Sequence, residues 1–384
     1  MRVLFITHNF PRHPGDLPGN FILRLARALK ESGVEIQVLA PHAPRLTPVV
    51  SIETIPVERF RYAPERRETL AYEGTMAAQV RNSLRAKLDM IALIRAGAKA
   101  VQAHAVTADV VHAHWWFPGG LAVTRAAAQG KPIVTTLHGS DVRFARGTVA
   151  RALMGRVLAR SARVTAVSQW LADEAAKLGG IAAPRVAPMP VETDMFTPSD
   201  TPRDGVLFVG KLDDQKGPHV LLEALAQLPS RISGTFVGDG PNAQMLHARA
   251  AALGVAGRVR WCGALPQEAL ASYYRAARVV VAPATEAEGL GLVAAESMLC
   301  ETPVIASKLG GLPDLVEDGV TGRLVPPSDP KALAAAIETS IASPDRLAEW
   351  GKAGRARVLD RMSPAACAAT YRAIYEEVAS AKKA

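Results

Sequence analysis

Two glutamates eight residues apart, Glu288 and Glu296, lie in the stretch Pro283-Ala-Thr-Glu-Ala-Glu-Gly-Leu-Gly-Leu-Val-Ala-Ala-Glu296. An apolar run precedes it, and a helical pattern takes over from about Leu290. Gly289 and Gly291 allow the backbone to approach a ligand closely. The amides at the start of the helix favour an anion. Glu288 stays in the loop beside that anion, and Glu296 falls about a turn and a half into the helix, farther along the ligand. Carboxylates at such a place suit hydroxyl-rich groups, because they accept hydrogen bonds without competing for phosphate. An arbitrary pair at this spacing is usually a solvated loop residue and a helix-surface residue. The strand–glycine–helix context is what makes this pair a candidate site.

A second cluster, Val209-Gly-Lys-Leu-Asp-Asp-Gln-Lys-Gly217, also follows an apolar run. Lys211 and Lys216 flank its short loop and are expected to converge on one anionic group. With the glycine-bearing helix start they predict a diphosphate site, gripped by point charges rather than a guanidinium fork. Gly238-Asp-Gly-Pro-Asn-Ala243 fits the dinucleotide pattern G-x-G-x-x-A. However, Pro241 falls at its turn, and the next strand ends without the acidic residue that a ribose wants. His138, in Thr136-Leu-His-Gly-Ser-Asp141, stands at the carboxyl end of a strand, where open sheets bind ligands. His112 and His114 alternate on another strand and read as pocket lining or packing. Asp-x-Asp is absent, as are a Walker loop, a Gly-x-Ser-x-Gly elbow and a catalytic-cysteine context. The diphosphate must therefore be neutralised by side chains and helix dipoles, with no metal ion and no cofactor.

These groups need strand ends to hold them. Short β-branched runs alternate with helical patterns through the chain, which predicts parallel α/β architecture. Strands are expected at 3–7, 35–40, 109–113, 132–137 and 163–167, and residues 43–60 read as loop or short edge strands. A second series is expected at 205–209, 234–237, 258–262, 279–282, 303–306 and 323–325, with helices from Pro218 and Asn242. Residues 191–204 read as a linker between an N-terminal domain, 1–190, and a C-terminal domain, 205–363. A final helical pattern over 364–384 is assigned to the first domain.

Composition narrows the classes further. At 384 residues, 49% hydrophobic and 21% charged, the chain is neither disordered nor fibrous. Three scattered cysteines exclude a disulfide scaffold and fit a reducing compartment. No apolar run approaches a membrane span or a signal segment, so a cytoplasmic location is expected. Residues 1–200 hold 25 basic and 16 acidic residues, and residues 201–384 hold 20 of each. All of the excess of nine therefore lies in the first half, much of it between Arg59 and Lys99.

With those residues in place, the chain resembles the retaining glycosyltransferases of family 4. The resemblance rests on Val209-Gly-Lys…Lys216-Gly, Gly238-Asp-Gly-Pro and Glu288-Gly-Leu-Gly…Glu296. Pro303-Val-Ile-Ala, Gly310-Gly-Leu-Pro-Asp-Leu and Gly319-Val-Thr-Gly-Arg-Leu-Val follow in the expected order. It implies the GT-B fold, two facing Rossmann-like doubly wound domains with a cleft between them. It implies that Glu296 holds the nucleotide ribose, Glu288 the donor-sugar hydroxyls and Lys216 a phosphate. Gly210, Gly238 and Gly263 are implied beside the donor, the last near the base. Gly289, Leu290, Gly291 and Leu292 are implied as backbone along the sugar and diphosphate. Lys211 stands where the family usually has arginine, so the charge is kept without the fork. His138 resembles the family's active-site histidine, and Gly19 a loop glycine near the phosphates, although the usual double glycine is here Gly19-Asn20.

The implied reaction transfers a hexose from a nucleotide-diphosphate sugar to a hydroxyl acceptor with retention of configuration. The acceptor implied is a lipid-linked or cell-envelope glycan precursor. Residues 59–99 are then expected to form a basic face on an anionic membrane, peripheral at its inner leaflet. Nucleic acid is not expected as a partner, because no aromatic–basic interleaving or recognition motif appears. An epimerase or sugar synthase of the same fold, a dinucleotide-dependent oxidoreductase and a non-catalytic sugar-nucleotide binder are the alternatives. The donor sugar, the base and the oligomeric state are not written in the sequence.

Overall fold

The computed structural model describes residues 1–381 except 47, 48, 73, 74 and 146; the last three residues of the expected C-terminal helix lie outside the described residues. The chain divides into two units, one of residues 1–190 with 364–384 and one of residues 191–363.

In the first unit the strands are β1 (Arg2–Ile6), β2 (Glu35–Pro41), β3 (Val49–Ile52), β4 (Ile55–Phe60), β5 (Val110–His114), β6 (Ile133–Leu137), β7 (Arg163–Ala166) and β8 (Arg185–Val186). They form one sheet in the order β3-β4-β2-β1-β5-β6-β7-β8, parallel throughout except for β3 against β4. Val3, Leu4, Phe5 and Ile6 are all 2% exposed or less. A strand covered on both faces reads as an unbroken apolar run, which is why β1 does not alternate. The second unit holds β9 (Val206–Val209), β10 (Gly234–Val237), β11 (Val259–Trp261), β12 (Val279–Ala282), β13 (Val304–Ser307) and β14 (Gly322–Val325). Their order is β11-β10-β9-β12-β13-β14, all parallel. In each sheet the strand order reverses beside the first strand, between β1 and β5 and between β9 and β12. The loops leaving such a pair diverge to opposite faces and open a crevice at the carboxyl ends.

Several local expectations shift. Residues 43–60 hold a hairpin whose second strand, β4, is interior and pairs with β2 as well as β3. Its turn, Glu53-Thr54, has both residues at positive φ, the twist-matched geometry of a tight hairpin. Asn242 flanks a helix that begins at Ala243. The helix after Gly291 begins at Leu292 rather than Leu290, so Glu296 is its fifth residue. Arg59, counted with the basic face, is 2% exposed. It donates to the carbonyls of Phe10 and Pro11 and to the Tyr72 hydroxyl, tying β4 to the loop after β1.

The helix Pro364–Ala381 packs on the helix Asn20–Glu31 of the first unit. Tyr371 and Tyr375 are fully buried there. The Tyr371 hydroxyl donates to the Ala187 carbonyl (3.0 Å). Removing a buried aromatic costs about 3–5 kcal/mol. Tyr371→Ala is therefore expected to lower one calorimetric unfolding transition by several degrees and leave the second unmoved. Equal shifts in both transitions would show that the C-terminal helix does not belong to the first unit alone.

Candidate functional site

The second unit gathers its chemistry where the strand order reverses. Lys216 ends the loop after β9, and Glu288 lies in the loop after β12. The Lys216 Nζ stands 2.7 Å from Glu288 Oε2. Two glycines make this contact possible. Gly217 sits at φ 67°, and a Cβ there would come within 2.0 Å of the Pro283 carbonyl oxygen. Gly310, at φ 61°, would drive a Cβ to 2.5 Å from the Glu288 amide nitrogen. Side chains are strained at such angles, and here they would also collide with backbone. The two loops are further pinned by the Gly311 amide donating to the Glu288 carbonyl and the Thr285 amide to that of Gln215. The Lys216 amide donates to Asp213 Oδ1 (3.1 Å).

From Glu288 the chain passes Gly289, Leu290 and Gly291 into the helix Leu292–Leu299, with Gly291 in the left-handed conformation as its N-cap. That helix start has no side-chain cap and no acid in its first turn, which leaves its positive end suited to an anion. Glu296 is buried and doubly tethered, accepting from Gln267 Nε2 and from the Tyr274 hydroxyl, both at 2.9 Å. Burial, with Glu296 second, drives the Tyr274 phenol well above its ordinary range, so it serves as a donor. Lys211 is exposed and leans toward Asp213 (3.6 Å). The two lysines thus face different carboxylates instead of converging. Gly210, Gly238 and Gly263 follow β9, β10 and β11 and are stitched together: Gly210 donates to the Val237 carbonyl and Gly238 to that of Gly263. The loop Gly238–Ala243 follows β10, one strand away from the reversal, and its contacts run to Leu212 and Asp214. A dinucleotide fingerprint belongs on the strand at the reversal itself.

In the first unit the reversal between β1 and β5 carries histidines. His112 and His114, on β5, are 0% exposed. His112 bonds Tyr375 and Thr136, both at 2.7 Å. His114 Nδ1 lies 3.0 Å from His138 Nε2, one ring donating to the other. Phe21 and Trp115 pack on the His138 ring. Asp141 fixes the turn that follows β6. Its carboxylate accepts from the amides of His138 (2.6 Å) and Trp116 (3.0 Å). His8 Nδ1, Asn9 Oδ1 and His114 Nε2 are buried without a protein partner. Buried polar atoms of this kind need a donor or acceptor from elsewhere, which makes them candidate contacts for a polar ligand beside His138. Gly19 is at φ 76° and opens the helix Asn20–Glu31, again without a side-chain cap or an acid in the first turn. Among the described residues no group of three His, Cys, Asp or Glu is arranged to hold a metal ion.

Residue types and spacing mark Glu288, Lys216 and His138. They do not mark Tyr274 and Gln267, whose bonds to Glu296 arise only when two helices pack. Nor do they mark His8 or Asp141. Only the turn Leu137-His-Gly-Ser-Asp141 carries a local signal, an acid placed to accept from the amides before it.

Residues 194–357 match the family described as glycosyl transferases group 1, and residues 18–195 match glycosyltransferase family 4. The chain is similar to D-inositol 3-phosphate glycosyltransferase 1 of Catenulispora acidiphila, at 31% identity over 85% of this chain and 82% of that one. It is 33% identical to the GDP-mannose-dependent alpha-(1-6)-phosphatidylinositol monomannoside mannosyltransferase of Mycolicibacterium smegmatis, over 61% of this chain and 67% of the relative. Among solved structures, sucrose-phosphate synthase from Thermosynechococcus elongatus superposes with a TM-score of 0.80 at 25% identity, covering 99% of both chains.

The buried histidines give the first unit a pH dependence of definite sign. Burial, and then neighbouring histidines, hold His112 and His114 far below the usual imidazole range, and burial lowers His8 to about 4. Each depressed group contributes stability that is present above pH 6.5 and lost as the unfolded chain takes up protons the fold refuses. Asp141 is pushed up to about 6 by burial against its amide bonds, so it acts in the opposite direction, regaining stability as pH falls below 6. His138 is held down by burial in the same way, so four histidines outweigh one aspartate. The first unit is expected to lose stability as pH falls from 6.5 to 5, measured by urea unfolding at each pH. His8→Gln should make the loss shallower; a flat wild-type profile would contradict the burial of these rings.

Proposed function

The chain belongs to glycosyltransferase family 4, the glycosyl transferases group 1 with the GT-B fold, and from that premise we propose that it moves a hexose from a nucleotide-diphosphate sugar to a hydroxyl acceptor, with retention at the anomeric carbon and without a metal ion. The observation that carries the reading is the Lys216–Glu288 contact, held at the strand reversal beside the uncapped helix start at Leu292. Rupture of the sugar–phosphate bond puts negative charge on the departing diphosphate and positive charge on the anomeric carbon. Lys216 and the helix start oppose the first, and the exposed Lys211 side chain is free to swing toward it. Fixed donors of this kind are worth about 3–4 kcal/mol each to a transition state. Glu288 accepts from sugar hydroxyls once the diphosphate takes over Lys216. Glu296, held by Tyr274 and Gln267, accepts from the ribose. Gly289 and Leu290 run along the sugar.

His138 serves the sugar end of the reaction. Its Nε2 is engaged by His114, which orients the ring, and the ring stays neutral because burial lowers its pKa well under the usual range. A neutral imidazole donates or accepts a hydrogen bond without repelling positive charge that develops at the anomeric carbon. The departing phosphate takes the acceptor proton, so no protein carboxylate need act as nucleophile.

For the acceptor we infer a lipid-linked hydroxyl compound. The exposed cations Arg81, Arg85, Lys87, Arg95 and Lys99 support this, as does the Mycolicibacterium relative, whose name specifies a phosphatidylinositol monomannoside. Each basic residue near an anionic surface contributes about 1 kcal/mol of attraction. No described helix is long and apolar enough to cross a membrane. A soluble phosphorylated cyclitol is the second reading, favoured by the name of the Catenulispora relative.

Lys216→Ala and Glu288→Ala are each expected to cut kcat by at least a hundredfold in a protein that still melts cooperatively. A panel of nucleotide sugars, with NMR of the product anomer, checks both the donor and the stereochemistry. Inverted product, or near-normal turnover in both variants, would remove the mechanism.

A further inference from the structure

The first unit contains an apolar cavity of about 690 Å3, within the usual size of small-molecule sites. Its inner wall is Met76, Met90 and Trp116, all buried, with Phe117, Phe144 and Leu153 half-buried around them. It is open to solvent past Arg81 and Val149, the latter 81% exposed. No carboxylate lines it, and its polar side-chain atoms reduce to the Arg81 guanidinium, the Thr148 hydroxyl and the Trp116 indole N–H. That N–H is already spent on the Asp141 carbonyl (2.9 Å). Such a wall suits hydrocarbon, with Arg81 and Thr148 as its polar side chains.

The surface around the opening says what brings the hydrocarbon. Residues 76–99 and 140–160, which flank the cavity, hold ten basic residues and two acids. Both acids are buried: Asp89 pairs with Arg67, and Asp141 holds the His138 turn. Every exposed charge on the described residues of these segments is therefore positive. On the helix Leu84–His104, Leu84, Leu88 and Ile91 follow one another at helical spacing and are 74%, 59% and 47% exposed. An apolar stripe among cations is the composition of a helix that lies in an anionic interface.

We propose that this cavity takes a single hydrocarbon chain of an anionic membrane lipid, and that the acceptor is presented on such a lipid. The proposal rests on the lipid-linked reading above and adds the chain-binding site. One carboxylate links the cavity to the reacting end: Asp141 accepts from the amide of Trp116, which lines the cavity, and from that of His138. The cavity wall at Trp116 and the turn that carries His138 are therefore positioned by the same side chain.

The test uses the full chain and vesicles of phosphatidylcholine with phosphatidylglycerol, the latter carrying dibrominated acyl chains that quench tryptophan on contact. Co-sedimentation reports surface binding, and quenching reports entry into the cavity. Quenching is expected in the wild type and should be lost in Trp116→Phe. It should also be lost in Ala150→Phe, which fills the cavity from its wall, while co-sedimentation stays unchanged. Ala150→Phe should also lower kcat/KM at least tenfold on a long-chain acceptor and leave donor hydrolysis intact. Sedimentation without Trp116 quenching would overturn the cavity assignment and leave the surface reading standing. If the protein does not sediment, the membrane reading fails, and a monomeric dibrominated lysophosphatidylglycerol decides the cavity alone: quenching of Trp116 sustains it, and none overturns it.

Discussion

An ammonium group and a carboxylate held 2.7 Å apart at a reversal of strand order impose conditions on everything around them. The strands supply the position: β9 and β12 are neighbours whose following loops leave toward opposite faces, so only residues just past their carboxyl ends meet. The glycines supply the approach, since Gly217 touches the backbone after β12 and Gly310 touches Glu288 itself. The pair is half-buried, a regime in which charge is neither fully screened by water nor prohibitively desolvated. That is a useful state for a site that must exchange partners. On the proposed reading a diphosphate would compete for the lysine, and the displaced carboxylate would be left to face hydroxyls.

The first unit solves a different problem. It places neutral rings, rather than opposed charges, at its own strand reversal. Keeping imidazoles neutral costs nothing at neutral pH and avoids adding cations to a half of the chain that already carries all of the net charge. The column running from Tyr375 through His112 and Thr136 engages most of its nitrogen and hydroxyl atoms internally. Unpartnered atoms remain on His8 and Asn9, just past β1, and on His114, whose other ring nitrogen meets His138. Buried polar groups are ordinarily satisfied; these atoms, at the carboxyl ends of the neighbouring strands β1 and β5, are where a polar molecule would complete the set.

Much of this was legible in the sequence. Unbroken apolar runs gave nearly every strand within a residue or two, because a parallel sheet covered on both faces leaves no alternation to misread. Glu288, Glu296, Lys216 and His138 stood out because each follows such a run with glycine nearby. What could not be read was mostly side-chain partnership. Nothing in the spacing of Lys211 and Lys216 says that they turn to different carboxylates, since that depends on which loop folds over which. Arg59 looked like one more member of a basic stretch, yet it is buried, because the loop after β1 offers it two carbonyls and Tyr72 offers a hydroxyl. The β3–β4 hairpin was obscured by its prolines, which argue against interior strands. Pro56 pairs with β3 alone, and β4 becomes interior at Val57 and Glu58, which pair on both sides.

Arg59 also refines the meaning of the charge excess. A net count treats every basic residue alike, but only those that remain in water shape the field outside the protein. With Arg59 spent on carbonyls, Arg67 on Asp89 and Arg61 facing Glu65 and Glu68, Arg66 is the exposed cation left between 59 and 80, and the other outward cations up to 99 lie at residues 81–99, beside the apolar stripe of Leu84, Leu88 and Ile91. A merely soluble, highly charged surface has no use for such a stripe, which in water exposes hydrocarbon at a cost of about 25 cal/mol per Å2. Cations alone would fit any anionic partner, and an apolar ridge alone would fit another protein. Their superposition on one helix, next to an apolar cavity whose Trp116 shares Asp141 with His138, is the combination that the proposed acceptor, with a charged head and a greasy tail, would use.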